Sequence, residues 1–299
     1  MARIGFLLLI APIWLLSLLP LRVHYIFAAF ISWLLSSVIG YRRGVIYINI
    51  ARSFPEYKYG KVREVVRKFY KNFGDIVAEN FWMVSRPFVR VNRASSIENP
   101  EVVKELYDRG KSVILVSGHQ GNWEFFPYIL TSRQEAMGFS GDQFKFVYKR
   151  QNSALMDRLM RWFRTRGGKH EMLESKSAAR YIFKNKETQN CYVLVADQVP
   201  HSGARFAVDF LHRRTLMMNG PELIAVKANL PIVFMNMERI KRGKYKMKFS
   251  LISENPSQVA SGEITERYAS LLEESIQSQP DNWLWSHRRW KRGVVEDNG

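Results

Sequence analysis

Two apolar runs without Asp, Glu, Lys or Arg open the chain, at positions 4–21 and 23–40, and Arg22 separates them. A transmembrane helix needs about 20 apolar residues, so each run falls slightly short. A tilted single span, a membrane-embedded helical pair and an interfacial hairpin all fit this pattern. A cleaved signal peptide fits poorly, because the apolar stretch is too long and no small-residue cleavage site follows it. We therefore predict a membrane-associated hydrophobic segment over residues 1–40.

The sequence YRRGV at 41–45 follows the second run directly. Basic residues beside a membrane segment favour the cytoplasmic side. The two arginines of YRRGV therefore predict that the rest of the chain, residues 41–299, forms a cytoplasmic domain.

A helical pattern runs from 41 to 95. Its clearest part is 61–84, where apolar residues recur with a period close to 3.6. Pro87 follows and favours an end to this helix. The pattern predicts an amphipathic helix that packs against the core of the domain.

Strand patterns and helix patterns alternate from residue 100 onward. The predicted strands are 111–118, 144–150, 191–198, 231–240 and 244–252. The predicted helices are 100–110, 122–134, 153–168, 175–186, 221–230 and 264–280. This alternation predicts an α/β fold with a mostly parallel sheet flanked by helices.

The net charge indicates which classes of partner the protein binds, and the cysteine content limits disulfide and zinc sites. The 299 residues carry 45 Lys and Arg against 27 Asp and Glu, a net charge of +18. Such an excess suits nucleic acid, an anionic membrane or an acidic protein, and the apolar N-terminal segment favours the membrane. The single cysteine, Cys191, excludes a disulfide within the chain, and no Cys/His cluster has the spacing of a zinc site.

Polar residues lie at the carboxyl ends of three of the predicted strands. In parallel sheets, sites form beyond the carboxyl ends of the strands. The candidate site residues are His119 and Glu124 just after the first strand, Lys149 and Arg150 at the end of the second, and Asp197 and Gln198 at the end of the third.

A histidine is a suitable general base near neutral pH, especially when a carboxylate orients its other ring nitrogen. Gly121 permits a tight turn that would bring Glu124 to His119. No serine or cysteine lies in a nucleophile elbow, because SGHQG is not G-x-S-x-G. Direct transfer, in which His119 deprotonates a hydroxyl that attacks an acyl carbon, therefore fits best. A hydrolase that uses water, and a basic membrane-binding protein without catalysis, stay open.

The motif HQGNWE at 119–124 has the H-x4-[D/E] form of the lysophospholipid acyltransferase superfamily. The surrounding blocks resemble the bacterial lauroyl/myristoyl (late) acyltransferases of lipid A biosynthesis, and the resemblance covers nearly the whole chain. The blocks are VYKRQNSALMDRLM (147–160), VADQVP (195–200), the segment 208–234 and DNWLWSHRRWKR (281–292).

The resemblance implies a glycerolipid acyltransferase-like fold and an inner-membrane enzyme with a cytoplasmic active site. It implies transfer of a fatty acyl chain from acyl carrier protein, or from coenzyme A, to a hydroxyl of a lipid A precursor or related glycolipid. Ornithine lipids and phosphatidylinositol mannosides stay open as acceptors. No cofactor, no metal and no nucleic acid partner are expected, and the reaction would involve no covalent intermediate.

The resemblance also assigns roles to the site residues. His119 would be the base and Glu124 the acid that orients it. Lys149 or Arg150 would meet a phosphate, and the family often has arginine where Lys149 stands. The two residues at 197–198 would line the substrate pocket.

Overall fold

The computed structural model describes residues 2–201 and 204–293, and these form an α/β fold. The strands are β1 (Ser95–Ile97), β2 (Val113–Ser117), β3 (Phe144–Tyr148), β4 (Glu171–Glu174), β5 (Cys191–Val195), β6 (Ala207–Phe210), β7 (Arg213–Leu216), β8 (Ile232–Lys241) and β9 (Lys244–Ser253). The helices are α1 (Ala2–Ser17), α2 (Leu21–Trp33), α3 (Arg43–Ser53), α4 (Tyr59–Met83), α5 (Pro87–Ala94), α6 (Glu101–Asp108), α7 (Phe126–Ser132), α8 (Ala154–Thr165), α9 (Ser175–Lys184), α10 (Gly220–Ala228) and α11 (Glu263–Ser278).

Seven strands form one sheet in the order β1-β9-β8-β2-β5-β3-β4. Only the pair β8 and β9 is antiparallel within the described sheet, so β1 and β9 run against the other five strands. The remaining strands, β6 and β7, form a separate antiparallel hairpin. The predicted α/β fold with a mostly parallel sheet is confirmed.

The central strand β2 shows why the sheet needs helices on both faces. All five of its residues are buried. Ile114 and Val116 pack into one hydrophobic cluster, whereas Val113 and Leu115 pack into the other. This division follows from the two-residue period of a strand, and it explains the continuous apolar run in the sequence.

Several short elements were absent from the sequence prediction. β1 has three residues and β4 has four, which is too short for a periodic signal. The predicted helix at 122–134 is a 3-10 turn at Trp123–Phe125 followed by α7. The predicted helix at 61–84 corresponds closely to α4.

The N-terminal helices pack on the α/β domain through α4. Ser32 Oγ on α2 donates to the Tyr70 carbonyl oxygen at 3.0 Å, and Tyr25 Oη donates to Glu79 Oε1 at 2.9 Å. Gly74 permits this approach, because a Cβ there would lie 2.7 Å from the Ala28 carbonyl oxygen.

A π-helix at Leu34–Val38 continues α2. Within the described chain, the stretch Leu21–Val38 is the one helix long and apolar enough to cross a membrane, and only 11% of it is buried inside the protein. Length and composition therefore give weak support for the predicted membrane segment. The division at residue 40 stays a prediction.

Candidate active site

The strand order brings the predicted polar residues to one edge of the sheet. β2, β5 and β3 are neighbours, so their carboxyl ends lie side by side. In the register of β2 and β5, Ser117 pairs with Val195. His119 and Asp197 each follow two residues later, and they therefore meet across the two strand ends.

Two hydrogen bonds join His119 to Asp197. His119 Nδ1 lies 2.6 Å from Asp197 Oδ1, and the His119 backbone N–H donates to Asp197 Oδ2 at 2.8 Å. Trp283 Nε1 donates to the same Oδ2 at 2.8 Å. The carboxylate is 3% exposed and is held by donors on both oxygens. Such a carboxylate fixes the orientation of an imidazole.

Burial alone would raise the pKa of Asp197, but the His119 ring and the hydrogen bonds from His119 and Trp283 outweigh it and lower the pKa to about 2. Asp197 is therefore ionised at neutral pH and accepts a hydrogen bond from His119 Nδ1–H. In this tautomer Nε2 of His119 keeps its lone pair for a substrate proton. Gln198 Nε2 lies 3.3 Å from it, and the Trp123 ring packs edge-on against the imidazole.

The predicted contact between Glu124 and His119 is wrong in this structure. Both Glu124 oxygens bind Arg164 on α8, with Arg164 Nε 2.8 Å from Oε2 and Arg164 Nη2 2.6 Å from Oε1. The 3-10 turn that follows Asn122 directs this carboxylate toward α8, where the planar guanidinium of Arg164 donates to both carboxylate oxygens in a fork. The carboxylate that holds His119 Nδ1 is Asp197.

Close packing shapes the turn between His119 and Glu124. Gly121 has φ +55°, and a Cβ there would lie 2.9 Å from Met237 Cγ. Asn122 is buried, and its Nδ2 donates to Glu79 Oε2 at 3.1 Å. Tyr245 Oη donates to the same oxygen at 2.6 Å. Glu79 therefore connects the turn to α4 and β9.

Burial raises the pKa of Glu79, although the hydrogen bond from Tyr245, the charge of Arg239 and the hydrogen bonds from Asn122 and Tyr25 act in the opposite direction. The carboxyl group accepts bonds from three elements and is 1% exposed. It is a rigid support for the turn, and it also reaches α2 through Tyr25.

A cavity of about 580 Å³ is lined by His119 and Gln198. Ligand cavities typically have volumes of about 300–1,000 Å³. Apolar side chains form much of its wall, including Phe126, Phe146, Met156 and Val195. The cavity can therefore hold an apolar chain beside a basic nitrogen.

Polar and charged groups lie around the same cavity. Lys149, Arg150 and Gln198 line it, as does the ion pair of Glu124 with Arg164. Lys149 and Arg150 are exposed, and no acidic partner lies within ion-pair distance of either in the described part of the chain. Asp197 lies behind His119 rather than in the cavity wall. The side chains of Lys149 and Arg150 are therefore available to bind an anionic group that enters the cavity.

Helix α8 forms one side of the cavity and contacts the N-terminal helix α1. The rings of Phe6 and Trp162 lie edge to face with centroids 6.3 Å apart. The Arg158 guanidinium lies 4.4 Å from the centroid of Phe6. The apolar N-terminal segment therefore lies next to a cavity wall.

Among residues 2–201 and 204–293, no group of three His, Cys, Asp or Glu side chains has a geometry that could hold a metal ion. The expectations of no metal and no cofactor stay predictions. Cys191 is fully buried, and burial raises the pKa of its thiol.

Sequence reasoning missed three supporting residues. Trp283 belongs to the C-terminal block that carried the resemblance, but nothing in the sequence linked its indole to Asp197. Arg164 lies seven residues after the buried Asp157, a spacing that puts both on one face of α8. Glu79 is a carboxylate on the apolar face of α4. A charged residue on a buried helix face is a signal that could have identified the last two.

Comparison with known proteins gives two matches. A family model described as "Bacterial lipid A biosynthesis acyltransferase" matches residues 1–292. The chain is also 25% identical over 288 residues to the "Lipid A biosynthesis lauroyltransferase" of Escherichia coli (strain K12), across 94% of this chain and 90% of that protein.

Proposed function

The chain belongs to the bacterial lipid A biosynthesis acyltransferase family, and from that premise we propose that it transfers a fatty acyl chain from an acyl thioester to a hydroxyl of a lipid A precursor. The thioester would be carried by acyl carrier protein or coenzyme A. The observation that carries the proposal is the pair of His119 with the buried Asp197 carboxylate, beside a cavity lined by both apolar and basic side chains. The E. coli relative named a lauroyltransferase supports the same class of reaction.

In the proposed reaction, the acceptor hydroxyl displaces Gln198 from His119 Nε2. His119 takes the hydroxyl proton while the oxygen attacks the thioester carbonyl carbon. Asp197 accepts the Nδ1 hydrogen bond and stabilises the imidazolium that forms. The C–S bond then breaks, and the imidazolium returns its proton to the leaving thiolate. The products are an ester and a free thiol, and the protein forms no covalent bond.

The residues around His119 would have different tasks. The apolar wall of the cavity would hold the acyl chain. Lys149 and Arg150 would attract the phosphate groups of the acceptor or of the donor's phosphopantetheine. We assign Glu124 a structural task, because its ion pair with Arg164 fixes α8 against the turn that carries His119.

The N-terminal helices support a membrane location for this reaction. The contact of Phe6 with Trp162 places apolar α1 beside α8, a wall of the cavity. A lipid acceptor could then reach His119 without leaving the bilayer. We propose that the protein works at the inner membrane with its α/β domain in the cytoplasm, as the arginines after the second apolar run favour.

Mass spectrometry of lipid A from a strain that lacks this chain tests the proposed function. We expect lipid A with one acyl chain missing, restored by the wild-type gene and not by His119→Ala. Unchanged lipid A, or a missing chain on a different lipid class, would contradict the proposed acceptor. Purified protein with acyl carrier protein thioester or with acyl-CoA then identifies the donor.

A further inference from the structure

A second cavity, of about 750 Å³, lies between α2, α3 and α4, and we call it the α2–α4 groove. It shares no lining residue with the cavity at His119. Four of its lining residues are cations, namely Arg43, Arg63, Arg67 and Lys71. The fold and the acyl-transfer site leave this concentration of positive charge without a role.

Three of the cations form a stripe along α4. Arg63, Arg67 and Lys71 are spaced four residues apart, so they lie on one face of the helix. Like charges at this spacing destabilise a helix. All three are exposed. An anion bound between these side chains would offset their mutual repulsion.

The acidic residue that lines the groove does not neutralise the stripe. Both Glu64 oxygens are occupied, by Lys68 Nζ at 2.7 Å and by Lys61 Nζ at 3.2 Å. Within 2–201 and 204–293, no carboxylate forms an ion pair with any of the four cations. Their charge is therefore available to a ligand.

The opposite wall of the groove comes from the apolar N-terminal segment. Trp33, Ser36 and Ser37 line it, at the junction of α2 and the π-helix. Trp33 is 54% exposed, and tryptophan is enriched where a helix leaves the hydrocarbon layer. The serine hydroxyls supply further hydrogen-bond donors. The groove thus combines an exposed aromatic ring and hydroxyls from the C-terminal part of the candidate membrane span with four cations from α3 and α4.

We propose that the α2–α4 groove binds the phosphate headgroup of an anionic membrane phospholipid. Arg63, Arg67 and Lys71 would contact the phosphate from α4, and Arg43 would contact it from α3. An acidic protein fits less well, because one wall of the groove is part of the candidate membrane span. The bound lipid would fix α4 to the bilayer. The assignment is independent of the acyl-transfer chemistry.

Equilibrium binding to the full-length chain in a neutral detergent tests the proposal. The probes are short-chain, monomeric dihexanoyl phosphatidylglycerol and its zwitterionic counterpart dihexanoyl phosphatidylcholine. We expect the protein to bind phosphatidylglycerol and not phosphatidylcholine. The double variant Arg63→Gln with Arg67→Gln should weaken that binding about tenfold or more, since each cation near an anionic lipid surface contributes to affinity. Arg43→Gln, on a separate helix, should weaken it as well.

The matched control is Lys184→Gln with Lys227→Gln. It removes the same charge from exposed positions in the last turns of α9 and α10, outside the groove. It should bind within about twofold of wild type, since charges beyond a Debye length of about 8 Å are screened at physiological salt. Thermal melts should show that all variants fold.

Four outcomes would overturn the assignment. The first is that the groove variants fold and bind phosphatidylglycerol with the affinity of the wild type. Phosphatidylcholine binds equally tightly. Inorganic phosphate competes at the same concentrations as the lipid, which would identify a free anion site. Acyl carrier protein displaces the lipid and loses its own binding in the Arg63, Arg67 variant, which would identify a protein-docking surface.

Discussion

His119 Nδ1 lies 2.6 Å from Asp197 Oδ1, although the two residues are 78 positions apart in the chain. The parallel pairing of β2 with β5 creates this contact, because it aligns the two strand ends. Asp197 also accepts the His119 backbone N–H, so one carboxylate holds both the ring and the chain of the proposed base.

Asp197→Asn should lower kcat by about 10²–10⁴-fold, since the amide can reverse the imidazole tautomer and place a proton on Nε2. Steady-state transfer assays measure this change. Trp283→Phe is a milder control, because it removes one hydrogen bond to Asp197 and keeps the carboxylate. A kcat for Asp197→Asn within a few fold of wild type would contradict the orienting role of Asp197.

Glu124→Gln should lower the free energy of unfolding markedly, while the kcat of the folded enzyme should fall only slightly. The ion pair of Glu124 with Arg164 is largely buried. Loss of one partner from a fully buried ion pair costs about 3–5 kcal/mol of unfolding free energy. We expect a smaller loss here, because both side chains are partly exposed to solvent. Denaturant unfolding measures the loss. The double variant Glu124→Gln with Arg164→Met should be more stable than Glu124→Gln alone, since it leaves no unpaired guanidinium. A stable Glu124→Gln protein with kcat as low as that of Asp197→Asn would contradict a purely structural role for Glu124.

Lys149→Gln with Arg150→Gln should raise KM for the phosphate-bearing substrates and leave the folded stability unchanged, because both side chains are exposed at the rim of the cavity. Removal of two exposed charges should also flatten the salt dependence of kcat/KM. The comparison is with Lys184→Gln and Lys227→Gln, which lie outside this cavity. An unchanged KM and salt slope for both substrates would exclude a substrate-binding role.

His287 should make the folded protein sensitive to mild acid. Burial lowers its pKa to about 4, and its Nε2 accepts the Val199 N–H at 3.3 Å. An unfolded histidine has a pKa of about 6.5, so the unfolded chain binds this proton first and stability falls as the pH drops from about 6.5 toward 4.

His287→Gln should therefore show a smaller loss of stability across that pH interval. Denaturant melts at several pH values measure the slope. Asp197 contributes in a separate window: its lowered pKa gives stability that is present above about pH 4 and is lost toward pH 2. An identical slope for wild type and His287→Gln between pH 6.5 and 4 would contradict the assignment to His287.

The candidate site residues were visible in the sequence, but their partners were not. A buried strand that ends in Ser-Gly-His indicates a site at its carboxyl end. Nothing in one sequence states that β5 is the neighbour of β2, and Asp197 was therefore predicted to line the pocket rather than hold His119. Glu124, five residues from His119, was the nearest carboxylate in the chain, and the turn between them directs it to Arg164.

The β6–β7 hairpin was missed for a different physical reason. Its two turn residues, Leu211 and His212, have φ values of 52° and 60°. Hairpin turns with positive φ usually contain Asn or Gly, so these side chains give no turn signal. The long elements behave in the opposite way: α4 and β2 were predicted because many consecutive residues repeat one period.

The most direct test of the proposed base is the single-turnover rate of acyl transfer by His119→Ala, with the same acyl thioester and lipid A precursor as for wild type. We expect a rate at least about 10²–10⁴-fold lower, as for loss of a general base, with lipid binding retained. Transfer by the folded His119→Ala protein at the wild-type rate would contradict the claim that His119 removes the acceptor proton.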